Sequence, residues 1–246
     1  MFDLSGIREW YQTEAGELVS HSVEQQVWQL TACIFGYIAI QVGHVFDNRD
    51  LLKNCTIGQK VILDGVTPSN FIADPVALPL ANDSVDFVVL PHTLDFVEDP
   101  HQVLREVERS LVPEGHLLII GFNPLSFYGL WRVFLARTKS SPWNANFYSV
   151  KRIRDWCSLL GFDEINLQFC AHLPPFKRIQ GWKKMQSLDR MLLKNLTNTG
   201  GVYIFVARKR IATLTPLKRP WSAPEQILPG KLAKPTVGMQ ENARSR

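Results

Sequence analysis

Residues 85–121 read VDFVVLPHTLDFVEDPHQVLREVERSLVPEGHLLIIG, and this stretch decides the fold. Val85 to Leu90 is an apolar run of the kind that forms a strand buried on both faces. Asp99-Pro100 opens a helix, because a first turn tolerates the missing N–H of proline. Val103, Leu104, Val107 and Leu111 then make one apolar stripe, while Arg105, Glu106, Glu108 and Arg109 face water. Pro113-Glu114-Gly115 reads as a turn, and His116 to Gly121 as a second buried strand.

Working outward, the same alternation recurs. Ser22 to Phe35 carries Val23, Val27, Leu30 and Ile34 at helical spacing, with Ser22 as N-cap and Gly36 as stop. Tyr37 to Val42 is a short strand, and Asp47 to Cys55 suits a short helix. Lys60 to Leu63 is a second strand ending at Asp64-Gly65, and Asn70 to Ala73 a third. Downstream, Arg154 to Leu160 reads as a helix closed by Gly161, followed by strands over Ile165 to Phe169 and Val202 to Ala207. Strands alternating with helices predict an α/β fold, a Rossmann-like, seven-stranded, mostly parallel sheet with helices on both faces. Ligands bind such sheets beyond the carboxyl ends of the strands.

The 246 residues suffice for one domain at the upper end of the usual range, and a core of that size needs no disulfide or structural metal. The domain plan is an N-terminal helical segment over 1–35, the sheet domain over 36–210 and a tail over 211–246. The longest apolar run, Leu30 to Gly43, is broken by Thr31 and Gln41, which argues against a membrane span. The N-terminus, with Asp3, Arg8, Glu9 and Glu14, lacks a secretory pattern, so a cytoplasmic protein is expected. Cys33, Cys55, Cys157 and Cys170 show no metal-ligand spacing and read as reduced, small hydrophobes.

Charge is uneven. From Arg208 onward nine Lys or Arg face only Glu225 and Glu241, whereas the whole chain carries a net +4. Five prolines punctuate that basic tail, which reads as a poorly ordered, solvated extension. Contact with nucleic acid or anionic lipid is the other reading of such a tail.

The stretch from Ala73-Asp74 through Leu78-Pro79-Leu80 and Val85 to Val89, continued by Asp99-Pro100, Leu104-Arg105-Glu106 and Leu111 to Ile119, resembles the type 11 group of class I S-adenosylmethionine-dependent methyltransferases. The resemblance extends over Tyr37 to Arg210 and is specific over 72–121. It implies S-adenosylmethionine as cofactor and methyl transfer to a small-molecule or lipid-like acceptor. The alternative is a catalytically inactive methyltransferase-fold binding protein. Nucleic acid as a substrate rests on the tail alone and is disfavoured.

The resemblance also implies roles. Asp64, after the second strand, would accept the ribose hydroxyl protons; Asp74, after the third, the adenine amino proton. Val76 or Leu78 would floor the adenine. The sulfonium would lie near Gly43 and Leu90-Pro91-His92, with Gln41 and His44 also in the cofactor loop. Asp-Gly and Asp-Pro equally mark turns, so a structural role stays open for Asp64 and Asp74. The family loop, an acidic residue and then Gly-x-Gly-x-Gly, is altered here. Gln41 takes the acidic position, and Val45 and Asp47 replace the second and third glycines. His92 is the candidate catalytic base, since imidazole titrates near neutral pH; a histidine satisfied by hydrogen bonds is its structural counterpart. His101 and His116 read as structural. Phe122, Phe127, Tyr128, Trp131, Phe134, Trp143, Phe147 and Tyr148 would shape an acceptor pocket or pack a helix. Arg132, Arg137, Lys139, Lys177, Arg178, Lys183 and Lys184 border them.

Overall fold

The computed structural model describes residues 3–46, 50–65, 71–135, 141–172 and 199–210. Asp47, Asn70, Arg137, Lys139, Lys177, Arg178, Lys183, Lys184 and the tail lie outside these. The described residues all fall within one compact unit, residues 1–211.

Seven strands form one sheet in the order β3-β2-β1-β4-β5-β7-β6. They are β1 (Ile38–Val42), β2 (Gln59–Asp64), β3 (Phe71–Ile72), β4 (Val85–Pro91), β5 (Leu111–Phe122), β6 (Phe162–Cys170) and β7 (Val202–Lys209). β1 to β5 pair in parallel, and β7 runs antiparallel to both β5 and β6. The parallel strands read as apolar runs because helices cover both faces of such a sheet. In β4 and in the second half of β5, residues 87–90 and 117–120 are buried.

Among the described residues there are six helices: α1 (Ser5–Tyr11), α2 (Glu14–Thr31), α3 (Thr93–Phe96), α4 (Pro100–Ser110), α5 (Phe127–Leu135) and α6 (Val150–Leu159). α4 follows the expected pattern, with Asp99 capping the N–H of Gln102 and Val103, Leu104 and Val107 buried. α6 is capped by Ser149, and Gly161 adopts φ +81° just beyond its end. That is the left-handed conformation glycine adopts at low cost.

Three expectations need correction. The first long helix begins at Glu14 and not at Ser22, because Thr13 accepts the N–H of Gly16 and Glu14 and Glu17 sit in the positive first turn. It ends at Thr31, before Gly36. Residues 51–54 form a turn, so no helix runs over the described part of 47–55. Pro113 to Gly115 belong to β5 instead of separating two elements. Val85 pairs with Leu111 and Phe87 with His116, so residues 112–115 bulge opposite Asp86. Glu114 takes φ +65° within this bulge, so the turn chemistry is present but the strand continues through it.

α1 is a separate short helix joined to α2 through Gln12 and Thr13. A Cβ on Gly16 would collide with the Trp10 carbonyl oxygen, so the close approach of the two helices requires glycine there. The apolar side of α1, with Ile7 and Tyr11, is buried.

Candidate active site

Parallel pairing delivers the carboxyl ends of β1, β2, β4 and β5 to one edge of the sheet. Gly43, Asp64, His92 and Phe122 stand at those ends. Gly43 adopts φ +102° and its N–H donates to the Leu63 carbonyl at 2.7 Å, tying the β1 loop to β2. Gln41 is buried and donates through Nε2 to the Gly43 carbonyl at 2.8 Å, so its amide braces its own loop. Val45 is fully buried within the hydrophobic core.

Asp64 is 2% exposed. Its Oδ1 accepts the Gly65 N–H and its Oδ2 accepts Arg8 Nη2, both at 2.8 Å. Burial raises its pKa, and the Gly65 N–H and the Arg8 guanidinium oppose the shift. Arg8 also donates to the His44 carbonyl through Nε at 3.0 Å and Nη2 at 2.7 Å. One guanidinium therefore bridges the ends of β1 and β2.

At the end of β4, Leu90 and Pro91 are buried and His92 turns into the left-handed region at φ +56°. His92 is fully buried. Its Nδ1 lies 2.9 Å from Asp95 Oδ2 and its Nε2 lies 2.7 Å from the Tyr11 hydroxyl. With Asp95 ionised, Nδ1 carries the hydrogen and Nε2 accepts from Tyr11. Asp95 is itself buried, accepts the Phe122 N–H at 3.1 Å, and has its pKa raised by burial against the opposing pull of His92. Burial also lifts the Tyr11 phenol well above its ordinary value, which keeps the hydroxyl protonated. The Thr93 hydroxyl donates to the Val42 carbonyl and joins the β4 end to β1.

Arg8 and Tyr11 lie three residues apart on α1, close to one turn. That helix consequently crosses the ends of β2, β1 and β4. Trp10, beside Tyr11, packs edge-on against Phe122 and Tyr128 with ring centroids 6.1 and 6.3 Å apart. Phe122 stacks on His92 at 4.2 Å and on Phe147 at 4.9 Å.

Asp74 is exposed, and its Oδ1 accepts the Val76 N–H at 3.1 Å in a turn closed by the Asp74–Ala77 bridge. Leu78 is buried and Val76 half-buried. His44 contributes its carbonyl to Arg8. His101 packs at a tilt against Trp156 with ring centroids 4.1 Å apart, and His116 lies within β5. Among the aromatics, Tyr128, Trp143 and Phe147 are buried in the core, whereas Phe127 and Phe134 are exposed on α5. Leu125, Phe127, Leu130 and Val133 line an apolar groove of about 440 Å³ beside that helix.

A family profile described as "Methyltransferase domain" matches residues 49–119. The protein YafS of Escherichia coli K12 is 32% identical over 218 residues, which is 87% of each chain. This chain belongs to the class I S-adenosylmethionine-dependent methyltransferases. Solved structures agree on the fold. A Thermotoga maritima S-adenosylmethionine-dependent methyltransferase, described as a possible histamine N-methyltransferase, superposes with a TM-score of 0.58 at 18% identity, over 82% of this chain and 94% of that one. A chain from the complex of the Haloferax volcanii Trm112 methyltransferase activator with its methyltransferase gives 0.59 at 18% identity, over 85% and 97%.

The methyltransferase therefore uses S-adenosylmethionine, and the strand-end residues fit it in kind. A carboxylate, Asp64, ends β2 beside a positive-φ glycine just after β1. The residues the sequence did not single out are Arg8, Tyr11 and Asp95. Asp95 stood three positions after His92, the spacing that brings side chains together on one helical turn. Arg8 and Tyr11 had no comparable signal, because their partners are 36 to 81 residues away.

Proposed function

We propose that the protein transfers a methyl group to a small-molecule or lipid-like acceptor whose nucleophile must shed a proton, with His92 as the base. Bound S-adenosylmethionine would supply the electrophilic methyl. Asp64 would hold the ribose hydroxyls, Asp74 would accept from the adenine amino group, and the backbone of Gly43 would line the cofactor's path. Asp95 keeps the His92 hydrogen on Nδ1 and leaves Nε2 as the proton acceptor, with Tyr11 the hydroxyl bonded to it. The low-dielectric surroundings strengthen each of these bonds. The observation that carries the reading is the buried Asp64 carboxylate at the β2 end, in a chain whose family uses such a group for ribose. The apolar groove beside α5 begins two residues beyond Phe122, the ring stacked on His92, and supports an acceptor with a hydrophobic body.

Calorimetric titration with S-adenosylmethionine tests the cofactor part. Asp64→Asn should weaken binding by about 5- to 150-fold, the loss of a charge-assisted bond worth about 1–3 kcal/mol. Binding that Asp64→Asn leaves unchanged would move the site elsewhere. No binding by any variant would favour the inactive binding protein. Transfer of labelled methyl groups into organic-extractable material from cell extract tests the acceptor class, and His92→Gln should suppress it.

A further inference from the structure

Both carboxylate oxygens of Asp64 already have partners within the protein, and the group is covered. Arg8 Nη2 bonds Oδ2 at 2.8 Å, the Gly65 N–H bonds Oδ1 at the same distance, and 2% of the residue remains exposed. A carboxylate so covered cannot meet two ribose hydroxyls while the guanidinium stays in place. The same helix holds Tyr11 on His92 at 2.7 Å, so the group read as the base is also covered. The two contacts are three residues apart on one rigid turn, and the flanking connection is short: Gln12 and Thr13 alone separate α1 from α2.

We infer that α1 is a self-docked latch: Arg8 occupies the ribose carboxylate, and cofactor binds by exchanging Arg8 for its hydroxyls, which lifts Tyr11 from His92 in the same movement. This rests on Asp64 being the ribose-binding residue. Two features make the exchange feasible. The Arg8 side chain is 14% exposed and reaches solvent on withdrawal. The Asp64 carboxylate, whose pKa burial has raised, is left with an acceptor need that two hydroxyls satisfy. A binding-competent state that is only fractionally populated lowers apparent affinity by that fraction. Removing the latch should therefore tighten binding.

The test is calorimetric titration of the full chain with S-adenosylhomocysteine. Arg8→Gln should bind about 5- to 30-fold more tightly than the parent, equivalent to about 1–2 kcal/mol. Tyr11→Phe, which loses only the His92 bond, should bind more tightly by a smaller factor and guards against a folding defect in the first variant. Asp64→Asn should bind more weakly than the parent. If Asp64→Asn weakens binding while Arg8→Gln leaves it equal or weakens it too, the ribose reading stands and the latch is overturned. If Asp64→Asn has no effect, or if neither parent nor Arg8→Gln binds, the ribose reading itself fails and the latch falls with it.

Discussion

Arg8→Gln should also destabilise the protein, and the size of the loss should depend on pH in a way that identifies its partner. Arg8 makes one charge-assisted bond to Asp64 and two bonds to the His44 carbonyl. Each has a charged donor and contributes at most about 1.5–3 kcal/mol, and the two on the carbonyl share one acceptor oxygen. Glutamine can recover one bond to the carbonyl, and the partial exposure of Arg8 discounts the ion pair. The net loss at pH 7.5 is then about 2–3 kcal/mol, or about 4–12 °C in Tm for a chain of this size. Burial raises the Asp64 pKa above 3.8, so ionising Asp64 lowers stability as pH rises from that value through the folded one. Arg8 opposes that decline, because it stabilises the ionised carboxylate alone. The penalty of Arg8→Gln should thus be smaller at pH 4 than at pH 7.5 and grow as pH rises through the raised Asp64 value, while the share from the His44 carbonyl stays constant. Urea unfolding followed by circular dichroism between pH 4 and 7.5 measures it, and the Asp64→Asn background should abolish the pH dependence. An equal penalty at both ends of the range would show that Arg8 does not act through Asp64.

Asp95→Ala leaves the His92 Nδ1 hydrogen and the Phe122 N–H without their acceptor in a buried site, and should cost about 2–4 kcal/mol in urea unfolding; a change under about 0.5 kcal/mol would refute these two bonds. Gly129→Ala should lose at least about 1–3 kcal/mol, because its Cβ would strike the Pro124 carbonyl, a backbone group that cannot swing aside; a stability equal to the parent would contradict the packing of α5. Ellman's reagent should titrate one thiol in the native protein, since Cys33 is exposed while Cys55, Cys157 and Cys170 are buried. Burial pushes the Cys157 thiol up to about 12, so it should react only after denaturation.

The sheet was legible because its central strands are buried on both faces, and burial writes itself into the sequence as apolar runs. β4, α4 and the second half of β5 follow from residues 85–121 almost position by position. Boundaries were less legible where one local signal competed with another. Ser22 is a good capping residue, but Thr13 caps the same helix earlier, and an amphipathic stripe continues through both. Pro113-Glu114-Gly115 carries turn chemistry that a bulge satisfies equally well. Asp64 and His92 were found because strand ends are where ligands bind. Their partners were not, because Arg8 and Tyr11 come from a helix that precedes the sheet in sequence and closes over it in space. Local pattern carries no record of such long-range contacts.

The seat of Trp10 gives the protein an optical readout of its own N-terminal helix. The indole is wedged edge-on against Phe122 and Tyr128 as long as α1 lies across the strand ends. Its emission should shift to longer wavelength when water replaces those rings, and a Trp10→Phe chain would identify that component among the seven tryptophans. Stopped-flow fluorescence could then time the helix's departure in the absence of any methyl acceptor.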